Sequence, residues 1–275
     1  MLFSASMALI GFPLPQYLTR IGLGCPPRPN EDGLEQIHSA QAFSIPFENL
    51  DIHLGRPISL NPQNLAAKML ESKRGGYCFE LNGLLHLALS AMGFNVRPHL
   101  ARVLYGRNDS GPRTHQVLIV TISGKKWLAD TGFGGPGIRS PLPLVTGQVY
   151  DQYGERYRLQ SHPQLGTVLQ KETRNSFLDL YAFNEAELTL DIDIEMANHF
   201  TSTWPKSIFR LHRMCSLPRP WGRVTLSDME LTIHRGGQSL TKTLPAGPEY
   251  MAALTKHFGI EIDANYEDLA PLATV

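Results

Sequence analysis

Between residues 12 and 92 apolar positions recur three to four apart, the spacing of amphipathic helices. Four segments carry it: PLPQYLTRIGL (13–23), EDGLEQIHSAQAFSI (31–45), NPQNLAAKMLESK (61–73) and CFELNGLLHLALSAM (78–92). The second stops before Pro46. Asn61 is an expected N-cap, Pro62 suits the first turn, and Gly75-Gly76 is the expected stop. The fourth helix closes at Gly93. From about residue 94 the period changes to alternation. NVRPHLARVLYG (95–106) reads as a strand with a proline near its start. HQVLIVTISGKKWLAD (115–130) reads as two strands joined by a Gly-Lys turn. YGERYRLQ, GTVLQKET and NSFLDLYAF continue at hairpin-like intervals. Past residue 192 the pattern is mixed. DIEMANHFTSTWP is helical and turns at Pro205; RVTLSDMELTIHRG is a strand pair reversing near Ser227-Asp228; PEYMAALTKHFGI is a last amphipathic helix.

These runs predict an α+β protein of three parts. Residues 1–92 form a helical subdomain, 93–200 a β-rich subdomain, and 201–275 a mixed unit. The chain of 275 residues, 42% of them hydrophobic and 18% charged, is long and apolar enough for a sizeable core. Lys+Arg and Asp+Glu balance at 25 each, so no electrostatic footprint for nucleic acid or a membrane surface is expected. No stretch approaches a membrane span. Cys25, Cys78 and Cys215 are sparse, odd in number and scattered, which fits a reducing cytoplasm better than a disulfide framework. The start, MLFSASMALIGF, lacks the positive region of a signal peptide and reads as an ordinary N-terminus.

Cys78 differs from the other two cysteines in its setting. Two glycines and an aromatic precede it, and it opens a helix. A thiol there feels the positive end of the helix dipole, which favours the thiolate. The free N–H groups of the first turn also point at whatever the sulfur attacks. His115 begins a strongly β segment, a stiff support for an imidazole base. Asp130 ends the next strand, before the glycine-rich turn T-G-F-G-G. On successive strands of one hairpin the two side chains can lie side by side at one end of the sheet, the carboxylate orienting the ring. Singly, each has an ordinary structural explanation: a core cysteine, a strand-end histidine, a turn aspartate. Jointly they match a Cys–His–Asp triad for acyl transfer. Cys215 with His212 offers a loose metal pair with no second pair at ligand spacing, so no metal site is expected. Cys25 has no neighbouring base, and the remaining histidines show no cluster in the sequence.

Five segments resemble the arylamine N-acetyltransferase family: I-P-F-E-N-L-D (45–51), R-G-G-Y-C-F-E-L-N (74–82), R-T-H (113–115), A-D-T-G-F-G (129–134) and N-H-F-T-S-T-W-P (198–205). The resemblance implies a helical bundle, a β-barrel-like subdomain and an α/β lid, around a Cys–His–Asp core shared with papain- and transglutaminase-like enzymes. It implies ping-pong acetyl transfer through a Cys78 thioester. Acetyl-CoA would be a cosubstrate, a small aromatic amine, hydrazine or N-hydroxyarylamine the acceptor, and no cofactor or metal would be bound. Phe47 and Phe133 match aromatics of the acceptor pocket, and the turn from Gly132 through Gly134 to Gly137 would admit the pantetheine arm. Glu48 and Arg74 match a pair that braces the site as a buried salt bridge. Thr131 departs from the valine usual after the aspartate. Some relatives are amide synthases using longer or carrier-bound acyl thioesters, which is the alternative reading.

Overall fold

The structure is a computed structural model that describes residues 11–272. The start of the chain, read above as an ordinary N-terminus, lies almost wholly outside the described residues.

The helical part contains α1 (Leu14–Ile21), α2 (Glu31–Ser44), the short α3 (Leu50–His53), α4 (Pro62–Ala66) and α5 (Cys78–Ala91). Asn30 caps α2 by accepting the Gly33 N–H, and Asn61 caps α4 by accepting the Gln63 N–H. The helix begun by Pro62 does not run to the glycines. It widens into a π turn over Ala67–Glu71 and ends at Ser72, where Lys73 turns the chain at φ +49°. Tyr17, Leu34, Ile37, Met69 and the apolar face of α5 are buried together as the first core.

The second part is an eight-stranded antiparallel sheet. Its strands are β2 (Asn95–Val103), β3 (Arg113–Ile122), β4 (Lys125–Ala129), β5 (Leu142–Pro143), β6 (Val149–Gln152), β7 (Glu155–His162), β8 (Gly166–Glu172) and β9 (Phe177–Phe183), in the order β5-β4-β3-β2-β9-β8-β7-β6. One face adds Leu118 and Val120 to the first core. The other encloses Val117, Leu128, Tyr157, Leu169 and Tyr181. The hairpin read from residues 115–130 is present with Leu118 opposite Ala129. Its turn is Ser123-Gly124 rather than Gly-Lys. Both residues have positive φ, +49° and +81°, the twist that a two-residue hairpin loop needs.

Beyond the sheet come α6 (Asp191–Thr203), α7 (Ile208–Leu211), β10 (Met214–Arg219), β11 (Gly222–Ser227), β12 (Glu230–Arg235), β13 (Gln238–Thr243) and α8 (Pro248–Ala253). α8 runs on as a π turn over Leu254–Phe258. Strands β10 to β13 form a meander. Its fifth strand comes from far upstream: β1 (Phe47–Glu48) pairs with β10, with Phe47 opposite Ser216. Tyr250, Leu254 and Phe258 pack on this meander as a further core. No described helix is long and apolar enough to cross a membrane.

Candidate active site

α5 begins at Cys78, and the Tyr77 N–H just before it donates to the Glu80 carboxylate at 3.0 Å, fixing the helix start. The Cys78 thiol donates to the Thr114 carbonyl at 3.7 Å. The Gln116 N–H also bears on this sulfur. The sulfur therefore lies against the main chain on both sides of His115. The His115 Nε2 bonds Asp130 Oδ2 at 2.8 Å. A proton on Nε2 satisfies this contact and leaves Nδ1 as the basic nitrogen. Cys78, His115 and Asp130 are 3%, 2% and 1% exposed, so the group is nearly dry.

Burial sets the electrostatics. It is the largest influence on the Cys78 thiol and pushes it up; the Asp130 charge pushes the same way, against the N–H groups of Gln116 and Phe79. Burial thus works against the thiolate that the helix start favours. For Asp130, burial raises the carboxyl, but His115, the Asn82 amide and the Gly132 N–H together more than offset it, and its pKa lies below the ordinary value.

Asn82 escaped the sequence reading. It sits four residues after Cys78, on the same face of α5, where a buried amide interrupts an apolar run. Its Nδ2 donates to the Gln116 carbonyl at 2.5 Å and to Asp130 at 2.8 Å, and its Oδ1 accepts the Thr131 N–H. That spacing was the available signal. His38 and Gln41, one helical turn apart on α2, hold the other side. The His38 Nε2 accepts the Asp130 N–H at 3.0 Å, and burial keeps that imidazole neutral, lowering its pKa to about 4. Gln41 donates to the Leu81 carbonyl and to the Thr131 hydroxyl, and accepts from Tyr17.

The turn after Asp130 runs against α5. A β-carbon on Gly132 would lie 2.8 Å from the Cys78 Cα. Gly134, at φ +70°, leaves no room for a side chain beside the Phe47 ring. A small cleft lies between Phe47, Asp130, Thr131, Phe133 and Gly134. Phe133 meets the His115 ring edge-on at 5.2 Å, and Tyr181 packs on both rings. Phe209, which the sequence did not single out, stands 5.9 Å from Phe47.

Glu48 and Arg74 are paired at 2.8 Å, both buried. The pair is part of a longer chain: Arg74 reaches Asp51 at 3.0 Å, and Lys68 bridges Asp51 (2.6 Å) to Glu80 (2.7 Å). The capping carboxylate of Cys78's helix is thus one end of a buried ionic relay. His212 bonds Asp228 at 2.7 Å, whereas Cys215 is buried in the lid sheet. Among the described residues no group of three or more His, Cys, Asp or Glu is placed to hold a metal.

Helical bundle, near-barrel sheet and α/β lid around a buried Cys–His–Asp group define a papain-like α+β enzyme class. The comparisons with known proteins narrow this. An N-acetyltransferase family model matches residues 32–266. The arylamine N-acetyltransferase of Mycolicibacterium smegmatis is 37% identical over 90% of this chain and 91% of its own. The arylamine N-acetyltransferase / N-hydroxyarylamine O-acetyltransferase of Salmonella typhimurium is 36% identical over 90% and 88%. Among solved structures, the Salmonella typhimurium arylamine N-acetyltransferase superposes with a TM-score of 0.87 at 34% identity, covering 91% of this chain and 92% of that one. The Mycobacterium marinum arylamine N-acetyltransferase in complex with CoA gives 0.87 at 34% identity, covering 93% and 96%. The chain belongs to the arylamine N-acetyltransferase family, and it is an acyltransferase.

Proposed function

We propose that the protein moves an acetyl group from acetyl-CoA to the nitrogen of an arylamine or arylhydrazine, or to the oxygen of an N-hydroxyarylamine, through a thioester on Cys78. The observation that carries this reading is the Cys78 sulfur held against the strand on both sides of His115, whose other nitrogen is committed to Asp130.

As the sulfur attacks the acetyl carbonyl, His115 takes the thiol proton on Nδ1, and Asp130 stabilises the imidazolium. The first-turn N–H groups of α5 lack helical acceptors and face the developing oxyanion. Collapse breaks the carbon–sulfur bond to CoA, and the CoA thiolate takes the proton from His115. In the second half the acceptor nitrogen attacks the Cys78 thioester while His115 removes a proton from it. The departing Cys78 sulfur recovers that proton. Phe47, Phe133 and Phe209 offer apolar rings for an aryl acceptor. Glu48 and Arg74 brace the turn that carries Cys78.

The phosphates of the donor suit a cationic group where Arg223 of the lid strand β11 meets Lys171 of the central sheet, with Arg139 buried behind them. Arg139 and Lys171 share the single carboxylate of Glu155, at 3.1 and 2.7 Å. Arg223 lies next to them and donates to the Gly135 carbonyl of the glycine-rich turn. Positive charge is in excess there, beside the route to Cys78. The site works in the cytoplasm in this reading, where acetyl-CoA is made and thiols stay reduced.

Incubation with acetyl-CoA alone should release CoA and add one acetyl mass to the peptide containing Cys78, and an arylamine should then remove it. An adduct formed only with longer acyl thioesters would favour the amide synthase alternative. Near-normal turnover by Cys78→Ala would sink the thioester mechanism. Arg223→Ala should raise KM for acetyl-CoA by on the order of 10-fold while leaving that for a phosphate-free aryl acetate ester nearly unchanged.

A further inference from the structure

We infer that the outward face of α6 is a self-association surface on which a second copy of this chain docks antiparallel about a twofold axis. The inward face of α6 is used up: Ile194, Asn198 and Thr201 are buried, and Asn198 meets the Tyr77 hydroxyl beside the Cys78 turn. The outward face is apolar. Ile192, Met196 and Phe200 form a row four residues apart, 56%, 65% and 38% exposed. Trp204 extends the row by stacking on Phe200 at 5.0 Å. Leu188 and Leu190 stand exposed at one end, Ile208 and Leu211 at the other.

A soluble surface tolerates single apolar residues, but eight large ones over residues 188–211, on α6 and its flanks, are a different matter. At these exposures they present on the order of 800 Å², about what each partner contributes to a specific interface. A row at four-residue spacing is a ridge that packs into the matching groove of an identical helix.

Charge selects the occupant. Asp191 and Glu195 are exposed along the first half of α6, whereas the exposed charges after it are Lys206 and Arg210. An antiparallel copy sets the acidic end of one chain against the basic end of the other. A parallel copy would set like against like. The chain carries no net formal charge, so nothing at long range opposes two copies meeting. An anionic membrane surface fits worse, because the acidic residues flank the ridge.

The test is sedimentation of the full chain over roughly 0.1–100 µM. The expected result is a weight-average mass rising toward twice that of the chain. Ile192→Glu/Met196→Glu should weaken the dimer at least 100-fold, with unchanged far-UV circular dichroism and unchanged acetyl transfer. Glu195→Lys should weaken it about 10-fold, and adding Lys206→Glu should restore it. A single-chain mass across the whole range overturns the inference. So does a dimer indifferent to the ridge substitutions, or a monomer that instead binds phosphatidylserine vesicles through Ile192 and Met196.

Discussion

His38 is fully buried, and its neutral ring accepts the N–H of Asp130. Its pKa falls from 6.5 to about 4 on folding. The unfolded chain therefore binds a proton at this residue between those values and the folded chain does not. Stability linked to His38 is complete above pH 6.5 and is lost as pH falls toward 4, by about 3 kcal/mol in all. His38→Gln keeps an acceptor without a titrating ring. Urea denaturation at pH 7 and pH 5 should show a smaller loss in this variant than in the parent; equal losses would remove His38 from the acid sensitivity. Thr131 offers a companion test. Its hydroxyl accepts from Gln41 at 2.7 Å, a bond that valine cannot make. Thr131→Val leaves the Gln41 amide with the Leu81 carbonyl alone and should cost about 1–2 kcal/mol, read as a lower denaturation midpoint. The sequence suggested only a local bond for the Thr131 hydroxyl; the partner is Gln41, on another helix, and no local pattern links the two.

At the scale of the element, α5 organises the site by delivering Cys78 and Asn82 from consecutive turns of one face. The fit of the Asp130 turn against that face is close. Gly132→Ala places a methyl 2.8 Å from the Cys78 backbone, so the turn must move. A shift on the scale of 1 Å at reacting groups costs on the order of 100-fold, and the acetylation rate of Cys78 should fall by that much, with a lower Tm. The buried relay behind α5 is as sensitive. Arg74→Met removes the partner of Glu48 and one of the three cations around Asp51, and should cost about 3–5 kcal/mol. Much of this element was readable from local rules: the helix start at Cys78, the cap at Asn61, the hairpin bearing His115 and Asp130. Those signals act over a few residues. The relay was readable only as the pair Glu48–Arg74, since Lys68 and Glu80 look like ordinary charges on amphipathic helices. The burial of the Cys78 thiol was not readable for a related reason. A dipole is visible in the order of residues, whereas the depth of burial that opposes it depends on three elements packing together.

Across the whole molecule, the lid sheet takes its fifth strand, β1, from the helical part. The strands β6, β10 and β13 were not read from the sequence. β10 holds a proline, and β13 is exposed along its whole length, so neither shows clean alternation. β10 pairs with β11 along its whole length and, on its other edge, with Phe47 and Glu48, a contact between residues far apart in the chain. Asn49 completes the tie. It is 1% exposed; its amide donates to the carbonyls of Phe209 (2.9 Å) and His212 (2.8 Å), and its oxygen accepts the Met214 N–H at 2.7 Å. One side chain thus sets where α7 ends and β10 begins, and with them where Phe209 stands against Phe47. Asn49→Ala strands the Phe209 carbonyl and the Met214 N–H in the interior, while the His212 carbonyl keeps the His53 ring, and should cost about 3 kcal/mol. The loss should be local before it is global. Hydrogen exchange ought to quicken first across residues 207–217, while the amides of β3 and α5 keep their protection. With Phe209 loosened, KM for the arylamine should rise more than the rate of Cys78 acetylation falls, because only the acceptor half of the reaction uses that wall. Uniform exchange across the chain, or equal loss in both half-reactions, would show that Asn49 supports the fold at large and not the placement of the acceptor wall.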